Sequence, residues 1–260
     1  MVVNGNHGEQ RIVVLGSGPA LASSSRDNTS FLFDSEGGAL LIDCGGSPFH
    51  KMLRAGGDPG GLAGVVLTHA HPDHIYGLPS LIHELWMFGR RDTLHIYASE
   101  PTLRVATSLL DVFQLRSKPV PLEFHVIPRV QEHLLFENDH YAVHTTPVRH
   151  EVPTCGVRIT SRVSGRVAAF SADTAPSPRL ISLAMGAQLL FHECSVDKPH
   201  PYHSTPEEVA QVAAEAEVEQ LILVHCHWNL VKEPYVSRAR MEKWYHGEIG
   251  FAEDFDVYEL

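Results

Sequence analysis

His69-Ala70-His71-Pro72-Asp73-His74 constrains this chain more than any other segment. Four of six consecutive residues are metal-ligand types, and they follow the short apolar run Gly64-Val65-Val66-Leu67. Such a run reads as a buried strand, so the cluster falls on the loop where that strand ends. Residues two apart on an extended loop point the same way, so His69 and His71 can grip one ion. Asp73 and His74 follow a turn at Pro72 and suit a second ion nearby. Imidazole with carboxylate fits zinc, with manganese or iron as competitors. A loop of merely solvated histidines would not need so dense a spacing.

The rest of the composition narrows the class. At 260 residues, 43% apolar and 20% charged, the chain reads as an ordinary globular protein organised as a single domain over 1–260. No stretch approaches the roughly 18 apolar residues of a membrane span. The segment Met1 to Glu9 lacks the basic-then-apolar order of a signal peptide, so a cytoplasmic location is expected. Cys44, Cys155, Cys194 and Cys226 show no paired spacing and read as reduced thiols. The formal charge of −11 argues against a long nucleic acid as substrate and for a small one, with no membrane partner.

Along the chain, strands are expected at Arg11–Leu15, Ser30–Asp34, Ala39–Asp43, Gly64–Leu67, Leu94–Ala98, Leu122–Val126, His140–Thr145, Cys155–Ser161, Arg166–Phe170, Ala187–His192 and Gln220–Val224, with one more at the C-terminus. Helices are expected at Pro48–Ala55, Leu78–Phe88, Glu100–Phe113, Pro178–Met185 and Val236–Tyr245. In the second of these, Leu81, Ile82, Leu85, Trp86 and Phe88 are expected to crowd one side against core or pocket. A further helix starts at Thr205-Pro206-Glu207-Glu208, where Thr205 can cap and Glu208 can complete a capping box.

The H-x-H-x-D-H segment resembles the metallo-β-lactamase superfamily, and the other segments of that superfamily follow in order. His150, after the strand ending near Thr145, matches the third ligand of the first ion. Asp173, after Val167–Phe170, matches the carboxylate bridging both ions, and His225, ending Leu221–Val224, matches the last ligand of the second. The resemblance implies an α+β fold, the αββα sandwich of two facing sheets with helices outside. It implies two divalent ions, zinc first. His69, His71 and His150 would hold one, and Asp73, His74 and His225 the other, with Asp173 between them.

Several segments resemble the ribonuclease Z-like branch: Leu15-Gly16-Ser17-Gly18, Leu41-Ile42-Asp43-Cys44-Gly45, His192-Glu193-Cys194-Ser195 and His203-Ser204-Thr205. The last two match that branch's H-E-A-T and H-S-T segments. By that match His203 protonates the leaving oxygen and Glu193 steadies it, while Asp73 also orients the attacking hydroxide. Two departures matter. His150 and Asp173 are too close for the long tRNA-holding arm, and Ala22 to Asn28 keeps only an Arg and an Asn of the family's basic segment. Both disfavour tRNA 3′ processing. The resulting expectation is a metal-dependent phosphodiesterase acting on a small or nucleotide-type phosphodiester. Carboxylic ester or lactone hydrolysis at the same ions is the alternative enzyme reading. A non-hydrolytic metabolite binder is the alternative from another class, and a homodimer is one candidate assembly.

Overall fold

A computed structural model describes residues 10–260. The N-terminal segment read above for a leader lies outside the described residues. The chain divides into two compact units. Among the described residues the first joins 10–16 to Ser23–Pro128 and Glu253–Leu260, and the second joins Ser17–Ala22 to Arg129–Ala252.

The first unit is one mixed sheet with helices packed on it. Its strands are β1 (Arg11–Gly16), β2 (Ser30–Asp34), β3 (Ala39–Ile42), β4 (Leu62–Leu67), β5 (Leu94–Ala98), β6 (Leu122–Val126) and β14 (Val257–Glu259), in the order β14-β1-β2-β3-β4-β5-β6. The pairings from β14 through β3 are antiparallel, and those from β3 through β6 are parallel. The parallel half needs crossover connections, which carry α1 (Pro48–Arg54), α2 (Pro72–Ile75), α3 (Leu78–Phe88) and α4 (Glu100–Val112). In α3, Leu78, Leu81, Ile82 and Leu85 recur at helical spacing and are all fully buried. Each contributes about 1.5–3 kcal/mol by leaving water. The helix stops at Gly89, whose φ of 90° places it in the left-handed cap position. The expectation for Phe88 is corrected: the buried stripe is complete at Leu85, and Phe88 lies in the final turn, mostly exposed, with its ring edge-on to Phe49.

The second unit repeats the plan. Its strands are β7 (His133–Glu137), β8 (Tyr141–Pro147), β9 (Cys155–Ser161), β10 (Val167–Phe170), β11 (Leu189–Glu193), β12 (Gln220–Val224) and β13 (Glu248–Phe251), in the order β13-β12-β11-β10-β9-β8-β7. The pairings from β7 through β10 are antiparallel, and those from β10 through β13 are parallel. Its helices are α5 (Pro178–Ala184), α6 (Pro206–Glu215), α7 (Trp228–Lys232) and α8 (Pro234–Met241). A tight turn over 162–166 joins β9 to β10, so no arm is inserted there.

Four elements differ from expectation. No residue of β7 is buried, so its sequence carries no in-and-out alternation and only the ladder to β8 makes it a strand. Helices α2 and α7 are too short for any 3.6-residue period to register. The C-terminal segment supplies two strands, β13 and β14, one to each unit. Among the described residues no helix is long and apolar enough to cross a membrane.

The start of α6 is as expected. The Thr205 hydroxyl accepts from the Glu208 N–H at 3.4 Å, and Glu208 Oε2 accepts from the Thr205 N–H at 2.9 Å. Replacing Thr205 by Ala is expected to destabilise the chain by about 1 kcal/mol. A lower urea midpoint with an unchanged m-value will show it; an unchanged midpoint contradicts the capping role.

Candidate metal centre

In the first unit the candidate ligands gather where β3 and β4 end. Asp43 follows β3, is buried, and holds a left-handed φ of 60°. Its Oδ1 accepts from the Thr68 N–H at 2.7 Å, and its Oδ2 accepts from the Thr68 hydroxyl at 2.8 Å. The same Oδ2 lies 2.7 Å from His74 Nδ1. Glycine at 45 is a steric need: a side-chain carbon there would collide with the Asp73 carbonyl oxygen. Pro72 opens the single turn of α2, which carries Asp73 and His74 and sets the His74 ring 4.1 Å from that of His69, centroid to centroid.

Hydrogen-bond partners assign the ring protons. The one hydroxyl proton of Thr68 goes to Asp43, so His69 Nδ1, 3.0 Å from Thr68 Oγ1, donates to that oxygen. His74 Nδ1 donates to the Asp43 carboxylate. Both rings therefore present Nε2 lone pairs. His69 Nε2 faces His71 Nδ1 at 3.1 Å, and His74 Nε2 faces Asp73 Oδ2 at 3.3 Å. The first spacing is near that of two nitrogens each about 2.0–2.1 Å from one tetrahedral ion.

In the second unit the ligands also follow strand ends. His150 lies beyond β8, Asp173 beyond β10 and His225 directly after β12. Ala172 and His225 hold φ of 53° and 50°, strained for residues with a side chain. His150 Nδ1 donates to the Tyr202 carbonyl at 3.0 Å. Ser195 donates its hydroxyl proton to the His225 carbonyl at 2.9 Å, so it accepts from His225 Nδ1 at 2.8 Å. These rings too present Nε2. Both lone pairs face one oxygen: Asp173 Oδ2 is 4.0 Å from His150 Nε2 and 3.6 Å from His225 Nε2. An anionic oxygen between two nitrogen lone pairs is repulsive until cations lie between them. The donor set in each unit therefore fits divalent ions of the zinc class, and Asp173 has the position of a shared ligand.

Glu193 ends β11 and is buried. Its Oε1 lies 2.9 Å from His203 Nδ1 and accepts from the Thr174 N–H at 3.0 Å, while Oε2 accepts from the Ser195 N–H at 2.8 Å. The His203 ring lies 5.0 Å from that of His150 and 6.4 Å from that of His225, centroid to centroid. Burial pushes the thiols of Cys44 and Cys194 upward, away from the thiolate a metal needs.

Sequence reasoning named Glu193 and His203 but not the residues behind the ligands. Asp43, Thr68, Ser195 and the Tyr202 carbonyl were not singled out. The Ile42-Asp43-Cys44-Gly45 match carried a signal for Asp43, and the His192-Glu193-Cys194-Ser195 match one for Ser195.

Comparisons with known proteins agree with this arrangement. A ribonuclease Z of Mycobacterium sp. (strain KMS) is 30% identical, over 82% of this chain and 83% of its own length. The metallo-β-lactamase fold protein YhfI of Bacillus subtilis superposes with a TM-score of 0.81 at 23% identity, covering 96% of this chain and 99% of its own. A diphosphatase of the PhnP family superposes with a TM-score of 0.75 at 24% identity, covering 96% and 98%. The fold is therefore the α+β metallo-β-lactamase fold. The sequence profile of the Anti-Pycsar protein Apyc1 family matches residues 10–258. The chain belongs to that family, as a metal-dependent hydrolase in the ribonuclease Z-like branch of the metallo-β-lactamase superfamily.

Proposed function

We propose that the two units are halves of one hydrolase domain over 1–260, and that together they hold two divalent ions, zinc first, for phosphodiester hydrolysis. His69, His71 and His150 would hold one ion, and Asp73, His74 and His225 the other, with Asp173 shared. The observation that carries this reading is the proton assignment at four histidines. Each has its Nδ1 2.7–3.0 Å from an acceptor oxygen, which selects the tautomer that directs the Nε2 lone pair toward an ion. Two divalent ions held by these residues would supply charge neutralisation for a phosphodiester and a water acidic enough to give a nucleophile at neutral pH.

The chain's own residues do the rest. Asp73 accepts a hydrogen bond from the attacking water and sets its direction. Glu193 holds His203 by Nδ1, so Nε2 is the atom that delivers a proton to the leaving oxygen. The buried carboxylate fixes the ring through its two backbone bonds and stabilises the imidazolium before transfer.

The substrate we assign is a small, nucleotide-type phosphodiester. The formal charge of −11 weighs against a long nucleic acid, and the β9–β10 turn leaves no place for a tRNA-holding arm. The superposing PhnP-family diphosphatase supports phosphorus over carboxylic ester chemistry. The four cysteines are buried and not joined as disulfides, which suits a reducing compartment, and we assign the protein to the cytoplasm.

Turnover of bis-aryl phosphate, cyclic nucleotides, tRNA precursors and simple lactones by zinc-loaded enzyme tests the substrate class. Phosphodiester turnover is expected, and lactone turnover alone overturns it. Chelation should abolish activity and zinc should restore it; full activity in metal-free protein contradicts the central claim. His203→Ala should slow an alkyl phosphodiester by about 10²–10⁴-fold and an aryl diester with a good leaving group much less. Equal losses on both would refute the proton-donor role. Asp43→Ala frees Thr68 and His74 together, so metal affinity should fall by about 10–100-fold in a competition titration.

A further inference from the structure

Along β5 and β6, alternate side chains point to opposite faces of the first unit's sheet. Leu94, Ile96 and Ala98 are fully buried in the helix-packed core, and Leu122 and Phe124 pack against it. His95, Tyr97, Glu123 and His125 therefore share the other face. The parallel register sets His95 beside Glu123 and Tyr97 beside His125. Three metal-ligand types thus converge on neighbouring strands, on residues the hydrolytic centre does not use.

The two rings hydrogen-bond to each other, and an ion held by both would replace that bond. His95 Nδ1 lies 2.9 Å from His125 Nε2. Glu123 places one oxygen 3.6 Å from His95 Nδ1 and the other 3.7 Å from His125 Nε2. Both gaps exceed hydrogen-bond length, and they are nearly equal. A carboxylate that served either ring as an acceptor would sit closer to that ring. One standing off both nitrogens equally has the position of a third ligand around a common centre. Tyr97 stacks on His125 at 4.7 Å and 20°, holding the ring that aims Nε2 at His95.

We propose that His95, Glu123 and His125 form a second kind of metal site, taking one divalent d-block cation of the zinc class. Two imidazoles exclude magnesium and calcium as preferred occupants, since those ions take oxygen ligands. Three protein ligands leave room for water, and the half-exposed side chains let the ion exchange with solvent. β6 ends the strand order of its sheet and is held there by one ladder, to β5. An ion bound across the two strands fastens that edge.

The test is a zinc count by equilibrium dialysis at fixed free Zn²⁺, on the wild-type chain and on His95→Ala and His125→Ala. All three keep the seven hydrolytic ligands, so the difference in count is independent of how the hydrolytic centre is filled. Each variant should hold about one equivalent less per chain while retaining phosphodiester turnover. Equal counts overturn the proposal. Should a histidine variant not fold, Glu123→Gln serves instead, because that side chain is 58% exposed. Added Zn²⁺ should then raise the melting temperature of the wild type more than that of Glu123→Gln. Equal shifts mean that the three side chains make only a surface hydrogen-bonded cluster.

Discussion

The candidate centre depends first on one buried carboxylate. Asp43 accepts three hydrogen bonds, from the Thr68 N–H, the Thr68 hydroxyl and His74 Nδ1, all at 2.7–2.8 Å. Through Thr68 it fixes the ring of His69, and directly it fixes that of His74, so one residue sets the tautomers of two ligands. The left-handed φ of 60° at Asp43 is the cost of aiming the carboxylate inward from the end of β3. The backbone closes around it: the Cys44 N–H donates to the His74 carbonyl and the Gly77 N–H to the Cys44 carbonyl. Glycine at 45 is what lets the two loops approach so closely.

The second unit reaches a comparable result from the other kind of acceptor. There a backbone carbonyl, that of Tyr202, and a hydroxyl, that of Ser195, take the roles Asp43 plays in the first unit. The positions come from topology. In the parallel half of that sheet, Asp173, Glu193 and His225 stand at or just beyond the carboxyl ends of β10, β11 and β12. Parallel neighbours end on the same edge, so ligands far apart in sequence share that edge without a long loop to carry them. Strain at Ala172 and His225 is concentrated at the same edge.

How much of this could be read beforehand follows from what each residue type must do. The apolar run before His69 and the dense spacing after it made β4 and the ligand loop legible, because burial and coordination both restrict residue choice. The capping box at Thr205 was legible for the same reason. β7 was not, since an edge strand without a buried face needs no pattern. The roles of Thr68, Ser195 and the Tyr202 carbonyl were not legible because a hydroxyl or a peptide oxygen can serve anywhere. Only the folded chain shows which of them faces a ring nitrogen. Phe88 was misassigned because its apolar character suggested burial, whereas the stripe of α3 was already complete without it.

The segment between β11 and α6 shows how stability and chemistry share residues. Of three consecutive side chains, His203 bonds Glu193, Ser204 donates to the Thr174 carbonyl at 2.7 Å, and Thr205 caps α6. Ser204 thereby ties the His203 loop to the residue after Asp173. From the far side Arg240 takes both oxygens of Glu207 at 2.7 Å and also reaches Asp197. That bidentate pair fastens the first turn of α6 to α8 and the loop to both. The His203 ring, which we propose as the proton donor, is thus held by a buried carboxylate, a capped helix and an arginine clamp.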